Sequence, residues 1–526
     1  MKKIFKNKIV MITGGSGSWG NELIKQLLET DVKEIRSFAR GEFMQVTLER
    51  KFNDPRLKII IGDIKDYEAV DAACRNVDIV FHLSAIKHVP LAEEFIYECI
   101  KTNLNGTRNL VKASIANKVK IVVDVSSDKS CLPINVYGMT KAIGEKIILN
   151  GANLSKETIF TVVRGGNVLG SNGSVVGLWI NQIKKYNKIT ITDKRMTRYF
   201  ITLPEAINLL FTAVESNING GLFIINMPSC KIIDLAEVLI NHYGNKDTKI
   251  EIIGIRPGEK LDEILISEHE SPVCYEYDKN YYFISYKKVD FKKVDFKQFN
   301  SSTYLMNKKE IKKLLDKGVK NILVLGAAGM AGHTIYEYLR FHSAFKVFST
   351  ARNDRYIRPD YCIDAGNVKV IKDIIEKEKI DVVINCIGLL VTDCNEDLGK
   401  ALYINGCFPH CLEMMTRKTK TKVIHLSTDC VFSGMKGNYS ESDNPDETNN
   451  YGRCKRAGEI INRKDLTLRM SIIGNELKSN GNGLFEWFMR QKGTIKGYSK
   501  YFWSGITTLE LTKQIKKIIE LPTNLI

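Results

Sequence analysis

The chain has no apolar run approaching the roughly 18 residues that a membrane-crossing helix needs, so no membrane insertion is expected. Its start, Met1-Lys2-Lys3-Ile4-Phe5-Lys6-Asn7-Lys8, is basic, but the apolar run that follows breaks at Gly14-Gly15 without a small-residue cleavage site. That reads as a first strand rather than a secretory leader. Twelve cysteines are scattered without a single Cys-x-x-Cys, the closest helical pair being Cys407 and Cys411. Free thiols in a reducing cytoplasm are expected, and no metal site. A net charge of +17 raises the question of nucleic acid, but no basic stripe with interleaved aromatics is present. Between Lys279 and Lys320 twelve lysines stand against four acids, a net +8, and the remaining excess is spread thinly. Nucleic acid is therefore not an expected partner; an anionic small substrate or a partner surface accounts for the charge as well.

What is present is ordinary globular composition, 44% apolar and 26% charged, over 526 residues, too long for a single core. One stretch organises the chain. The apolar run Lys120 to Val125 leads to Ser126, Ser127, Asp128 and Lys129, the place in an open α/β sheet where ligands bind. Tyr137 and Lys141 follow four residues apart, on one helical face, where the lysine is expected to lower the phenol's pKa. Asp128 and Lys129 add a second acid and base.

Before it, Lys8 to Thr13 is a predicted strand followed by Gly14-Gly15-Ser16-Gly17-Ser18-Trp19-Gly20 and a helix over Asn21 to Leu28. Glycines at 14, 17 and 20 in that context let a pyrophosphate approach a helix N-terminus, with Ser18 and Trp19 in the turn. A second strand ends in Ala39-Arg40, where an arginine rather than a carboxylate favours NADP over NAD. Asp63 and Ile64 close a third strand beside the adenine, and Ala85, Lys87 and His88 lie in the loop expected to border the nicotinamide. Lys87 is a candidate for the sugar nucleotide and His88 a turn residue. A long helix runs through Asn103-x-x-Gly106.

Beyond the central stretch, Asn167 leaves a strand, Ser174 sits in a glycine-serine loop, and Arg195, Thr197 and Arg198 fall in the polar-aromatic patch 193–200. Arg256 and Glu259 belong to a second basic turn, Arg256 to Lys260. These lie where a substrate lobe would present cations to a diphosphate. From Cys274 to Asp316 the chain is Tyr- and Lys-rich, with an echo of Val289-Asp290-Phe291 in Val294-Asp295-Phe296, and reads as the tail of the first unit running into a linker and short helix.

At Asn321 the plan restarts. Gly326, Gly329 and Met330 repeat the glycine turn, Ala351-Arg352 repeats Ala39-Arg40, and His425 to Asp429 closes another strand before Tyr451-Gly-Arg-Cys-Lys455. Ser127 to Tyr137 spans ten residues, Thr428 to Tyr451 twenty-three, and Cys430 replaces the first copy's Lys129. The fold class expected is α/β: two tandem Rossmann-type doubly wound parallel sheets, each with a smaller substrate lobe. The divisions read 1–278 for the first unit, 279–320 for tail and linker, and 321–526 for the second. The first copy runs from Glu215 through Gly220-Gly221 into a strand at Leu222, whereas the second reaches the same point at Glu520 to Asn524, so its lobe is expected to be incomplete.

The first half, about residues 5 to 318, resembles the inverting UDP-N-acetylglucosamine 4,6-dehydratases of the short-chain dehydrogenase/reductase family. The matching text is Ser127-Asp128-Lys129, Pro133-Ile134-Asn135, Tyr137-Gly138-x-x-Lys141, Arg164-Gly165-Gly166-Asn167-Val168, Asp193 to Arg198, and Arg256 to Lys260. The second half resembles dTDP-4-dehydrorhamnose reductases, through Ser427-Thr428-Asp429-Cys430-Val431-Phe432-Ser433-Gly434, Tyr439-x-Glu441, Tyr451-Gly-x-x-Lys455, Gly458-Glu459 and, loosely, Trp503 to Thr508. Cys430 departs from the aromatic common there. The resemblance implies a UDP-sugar substrate, NADP in both halves and a cytoplasmic homo-oligomer serving surface-glycan synthesis. In the first half it implies Tyr137, supported by Lys141 and Ser127, as base for the 4-hydroxyl, Lys129 as base at carbon 5, and Asp128 as acid for the departing 6-hydroxyl. In the second half Tyr451, Lys455 and Thr428 would reduce the 4-ketone. Two alternatives stand beside it: a 4-epimerase, which shares Tyr-x-x-x-Lys but needs no Asp128–Lys129 pair, and a catalytically silent NADP-binding scaffold, which would be expected to lose a tyrosine or lysine.

Overall fold

A computed structural model describes residues 2–170, 174–317, 319–343, 345–478, 481, 483–497, 499 and 503–520, and the chain divides into two units, 1–318 and 319–526. In the first, short Val/Ile-rich runs buried on both faces form parallel strands, as such runs do when helices cover a sheet. They are β1 (Ile9–Thr13), β2 (Glu34–Ala39), β3 (Leu57–Ile61), β4 (Ile79–His82), β5 (Ile121–Ser127), β6 (Ile159–Gly165) and β7 (Leu222–Ile225). Two further strands, β8 (Cys274–Glu276) and β9 (Tyr281–Ile284), complete a nine-stranded sheet in the order β8-β9-β7-β6-β5-β4-β1-β2-β3. The chain leaves β1 toward β2 and β3 and then returns to β4 on β1's other side. That reversal opens a crevice at the carboxyl ends of the strands.

The stretch 279–320 is not a linker. β9 pairs antiparallel with β7 in the main sheet, and Phe299–Asn300 pairs with Ile264–Ile266. Val289, Val294 and Phe296 of the two echoing triplets pack against the first unit's core. Ile311 and Leu314, on the helix Lys308–Leu315, are buried in a smaller lobe in one cluster with Trp179, Ile183 and Leu235. The density of lysine suggested a tail and linker; the apolar residues spaced between the lysines decide the matter, because an amphipathic strand or helix buries one face whatever the other carries.

The lobe itself combines the helices Val175–Tyr186 and Ile232–Tyr243 with a parallel pair, Lys188–Ile191 and Lys249–Ile252. Its core is separate from that of the main sheet.

The second unit has six parallel strands: β10 (Asn321–Leu325), β11 (Lys346–Ala351), β12 (Tyr361–Cys362), β13 (Val382–Asn385), β14 (Lys422–Leu426) and β15 (Leu466–Leu468), in the order β12-β11-β10-β13-β14-β15. Alternate residues of β10 enter different cores, Ile322 and Val324 with Ile335, Leu339 and Ile515, Leu323 and Leu325 with Phe408 and Leu412. Helices on both faces follow from that alternation. Both units are thus Rossmann-type doubly wound sheets. Among the described residues no helix is long and apolar enough to cross a membrane. Ser171, Asn172 and Gly173 of the expected glycine-serine loop, and residues 521–526, on which the expectation of an incomplete second lobe partly rests, lie outside the described residues.

Candidate active sites

In the first unit the turn after β1 fits a dinucleotide. Gly14 adopts φ +70°, and a Cβ there would lie 3.1 Å from the Ser84 backbone nitrogen; a Cβ on Gly20 would lie 2.3 Å from the Gly15 carbonyl oxygen. Helix α1 (Ser18–Leu28) starts behind Gly17 with no side-chain cap, so its first N–H groups face the crevice as anion donors. Gly14, Gly17, Ser18, Trp19, Gly20, Arg40, Ile64 and Ala85 all line one cleft of about 790 Å³. Asp63 does not line it. Its carboxylate lies 3.6 Å from both Arg40 Nη1 and Lys65 Nζ.

The same cleft reaches the end of β5. Ser127 caps a short 3-10 turn, Asp128–Ser130, and its hydroxyl donates to Asp128 Oδ1 at 2.9 Å. Lys129 Nζ lies 3.1 Å from Asp128 Oδ1 and 3.3 Å from Glu263 Oε1. Burial opposes the ammonium, but the two carboxylates outweigh it and hold Lys129 above the ordinary lysine range. Helix α2 (Val136–Leu154) is started by Asn135, whose side chain accepts from the Gly138 N–H. A Cβ on Gly138 would lie 2.2 Å from the Lys129 carbonyl oxygen, so the glycine after Tyr137 lets helix and turn touch.

Tyr137 does not have the lowered pKa expected of it. Burial pushes it up; Lys141, Ser127 and Lys129 pull it back without winning. Lys141 is itself buried and shares its charge with Asp124 of β5, 3.3 Å away, a partner the four-residue motif does not reveal.

Of the substrate candidates, Lys87, Asn167, Ser174, Arg198, Arg256 and Glu259 line the cleft. Arg195 and Thr197 do not. Arg195 pairs with Asp193 at 2.8 Å on an exposed turn, and Thr197 is buried against Asp262 and Ser301. The strand Thr197–Thr202 explains the division: alternate side chains point to opposite faces, so Met196, Arg198 and Phe200 face the cleft while Thr197 and Tyr199 turn away.

The second unit repeats the frame. Gly326 has φ +76°, and a Cβ on Gly332 would lie 2.1 Å from the Gly326 carbonyl oxygen. Helix α3 (Met330–His342) starts behind Gly329. Arg352 lies 3.7 Å from Asp364, as Arg40 lies near Asp63. Thr428 caps the turn after β14, and Tyr451 and Lys455 stand on helix α4 (Asn450–Ala457). Burial raises Tyr451 to about 12, with Thr428 opposing. Burial lowers Lys455 to about 8, with Glu459 opposing. The strands place different groups beside the two lysines: β4 pairs with β5 so that His82 faces Asp124, and β13 pairs with β14 so that Asn385 faces His425. A neutral ring replaces the carboxylate, and Lys455 Nζ donates instead to the Leu426 carbonyl at 2.7 Å.

Two supports escaped the sequence reading. Glu145 accepts from Ser126 at 2.6 Å and pairs with buried Arg164 at 2.7 Å; Glu459 accepts from Ser427 at 2.9 Å and pairs with Arg469 at 2.8 Å. The signal was present, since Gly-Glu follows the lysine at the same interval in both copies, Gly144-Glu145 and Gly458-Glu459. Asn103 and Asn405, in π-helical turns, each clamp one residue of the loop after the fourth strand by both backbone groups, Ile86 and Leu389. Asn103 stands three residues before Gly106 and Asn405 directly before Gly406, so no common spacing marks them in the sequence.

Comparison with known proteins agrees with this duplication. A family model described as "Polysaccharide biosynthesis protein" matches residues 10–285, and one described as "RmlD substrate binding domain" matches residues 320–490. A "UDP-N-acetylglucosamine 4,6-dehydratase (inverting)" of Campylobacter jejuni is 43% identical over 286 residues, covering 54% of this chain and 84% of the relative. A "UDP-glucose 4-epimerase" of Rickettsia canadensis is 39% identical over 331 residues, covering 59% of this chain and 96% of the relative. The X-ray structure of Pen from Bacillus thuringiensis superposes with a TM-score of 0.57 at 39% identity, covering 59% of this chain and 98% of that one. By its first unit the chain belongs to the polysaccharide biosynthesis protein family, and its second unit carries the RmlD substrate binding domain.

Proposed function

We propose that the first unit is an NADP-dependent UDP-N-acetylglucosamine 4,6-dehydratase that inverts carbon 5, and that the second reduces the resulting 4-ketone, in the cytoplasm, toward surface-polysaccharide precursors. The observation that carries the first assignment is the Asp128–Lys129 pair, 3.1 Å apart at the strand end beside Tyr137. It supplies an acid and a base beyond the Tyr–Lys set. The similarity to the Campylobacter dehydratase supports it.

When bound, the nicotinamide supplies hydride chemistry, taking hydride from carbon 4 and returning it to carbon 6 in the first unit and giving hydride to carbon 4 in the second. Gly14, Gly17 and Gly20 with the α1 N-terminus would hold its pyrophosphate, and Arg40 would meet a 2′-phosphate; Gly326, Gly329, Met330 and Arg352 would do the same in the second unit. The phenolate form of Tyr137, its own proton first released to solvent and its charge supported by Lys141 and Lys129, takes the 4-hydroxyl proton, and the ketone so formed acidifies the hydrogen at carbon 5. Lys129 passes its own proton to Asp128 across their hydrogen bond and takes the carbon 5 proton. Asp128 gives the proton it received to the 6-hydroxyl, which leaves as water and restores the Asp128–Lys129 ion pair. A solvent proton then returns to carbon 5 from the opposite face, balanced by the proton that Tyr137 releases to solvent as its phenolate is restored. Each such group is worth roughly 10²–10⁴ in rate. In the second unit Tyr451 gives its proton to the keto oxygen, and Lys455 stabilises the phenolate.

The Rickettsia relative favours a second reading, a UDP-sugar 4-epimerase, for which Tyr137 and Lys141 suffice. Mass and NMR analysis of products from UDP-N-acetylglucosamine separates the two. Loss of one water without consumption of NADPH is expected; an epimerised sugar of unchanged mass overturns the dehydratase assignment.

A further inference from the structure

Glu263 closes the segment after the basic turn 256–260 and enters the cleft from the substrate lobe side of the first unit. Its backbone is pinned on both sides: its N–H donates to Ser301 Oγ at 2.9 Å, and its carbonyl accepts from the Ser301 N–H at 2.9 Å. Ser301 Oγ lies 2.5 Å from Thr197 Oγ1, which donates to Asp262. The side chain is 3% exposed. Oε1 lies 3.3 Å from Lys129 Nζ and 3.7 Å from Arg198 Nε, while Oε2 is buried without a hydrogen-bond partner among the described residues, as is Asp128 Oδ2.

Glu145 of the same unit shows what a carboxylate placed for folding looks like. Its two oxygens take Ser126, Ser130 and both ends of the Arg164 fork. Leaving a buried carboxylate oxygen unpaired costs stability, and such half-satisfied groups gather where chemistry is done. Glu263 and Asp128 each give one oxygen to the same amine and keep one free. The second copy, which has Cys430 in place of Lys129, has no amine there to clamp.

We propose that Glu263 is a positioning residue for Lys129: its carboxylate holds the amine against Asp128 and stabilises the ammonium as the carbon 5 proton arrives. This rests on the reading of Lys129 as the carbon 5 base. A carboxylate that orients a base and stabilises its cation strengthens that base without touching substrate, as the aspartate does for histidine in serine hydrolases. The charged and titratable groups facing Lys129 are Asp128, Glu263 and Arg198, with Lys260 and Tyr137 beyond them. Two carboxylates act against one guanidinium at close range, so losing either carboxylate weakens the amine as a base.

The test uses the full chain with UDP-N-acetylglucosamine in deuterated buffer, reading deuterium at carbon 5 across pH. Glu263→Gln keeps the shape and removes the charge. Above the limb, where the amine is free in both proteins, exchange should slow at least about tenfold, and the acid limb should move toward lower pH by about one unit or more, the size of effect a neighbouring opposite charge exerts. A merely structural role would slow exchange without moving the limb, and that result overturns the proposal, as does exchange at the wild-type rate. Should Glu263→Gln fail to fold, Glu263→Asp keeps the charge but withdraws it; slower exchange with a smaller displacement of the limb is expected, and an unchanged profile overturns the proposal. Lys129→Ala, run alongside, distinguishes the two failures. If it exchanges carbon 5 normally, the reading of Lys129 as base falls and this proposal with it; if it does not, an unmoved limb in Glu263→Gln sinks the proposal alone.

Discussion

Raising the pH through 8 should suppress ketone reduction by the second unit while leaving the first unit's dehydration intact over the same range. Lys455 is buried, and that burial lowers it from 10.5 to about 8. Its charge is therefore about ten parts in eleven present at pH 7 and about one part in eleven at pH 9. Tyr451, held at about 12, needs that charge to release its proton to the ketone. The groups around the amine do not replace it: Glu459 is engaged by Arg469, Cys386 and Cys394 are raised thiols, and burial, aided by Lys455 and His410, keeps the His425 ring neutral. In the first unit Lys141 has a carboxylate, Asp124, 3.3 Å away. The assay is NADPH oxidation with a separately supplied 4-keto sugar, as kcat/KM from pH 6 to 10, and the expected fall between pH 7 and 9 is about tenfold. His425→Asp rebuilds the first unit's ion pair and should move the alkaline limb upward by about one to three pH units. An absent limb, or one that His425→Asp leaves in place in a folded variant, would refute the reasoning. Stability gives a second readout with a definite sign. Between pH 8 and 10.5 the unfolded chain binds the Lys455 proton and the folded chain does not, so the second unit gains stability as pH rises through that window, by about 3 kcal/mol at most.

Arg164→Met leaves Glu145 and Glu270 as buried, unpaired carboxylates and should destabilise the first unit by about 3–5 kcal/mol in urea titration, whereas a loss under 1 kcal/mol would show that the network is not structural. Replacing Arg40 should weaken binding of NADP and spare NAD, measured by calorimetry; equal affinity of the unmutated chain for both cofactors would remove Arg40 from that role. Tyr451→Phe should make the 4-ketone accumulate from UDP-N-acetylglucosamine with NADPH present. Tyr137→Phe should block formation of the ketone yet leave reduction of supplied ketone, and loss of both activities would mean that the two sites are not separate.

Much of the frame was legible in the chain itself. Short apolar runs ending in glycine turns or hydroxyl-acid pairs located most strands of both sheets, though not Cys274–Glu276, Tyr281–Ile284, Tyr361–Cys362 or Leu466–Leu468, because a buried parallel strand must be apolar on both faces and its ligand-binding end must not be. The Tyr–Lys helices were equally visible, since four-residue spacing is a local property. Two readings failed where local pattern was a poor guide. The short helix expected in 279–320 is there, at Lys308–Leu315, but lysine density concealed the strands Tyr281–Ile284 and Phe299–Asn300, and adjacency in sequence placed Arg195 and Thr197 in a site that strand alternation gives to Met196, Arg198 and Phe200.

What only the tertiary structure decided is the charge environment of each motif. Asp124 lies 17 residues from Lys141 and Glu263 lies 134 from Lys129 in numbering, yet each stands within 3.3 Å of its lysine. The sequence presents the two Tyr–Lys pairs as copies; sheet register puts a carboxylate under one and a neutral ring under the other. A motif names the groups that can exchange protons. Burial and the charges brought from distant segments set where they do so, because desolvation and Coulomb interactions depend on distance through space rather than along the chain.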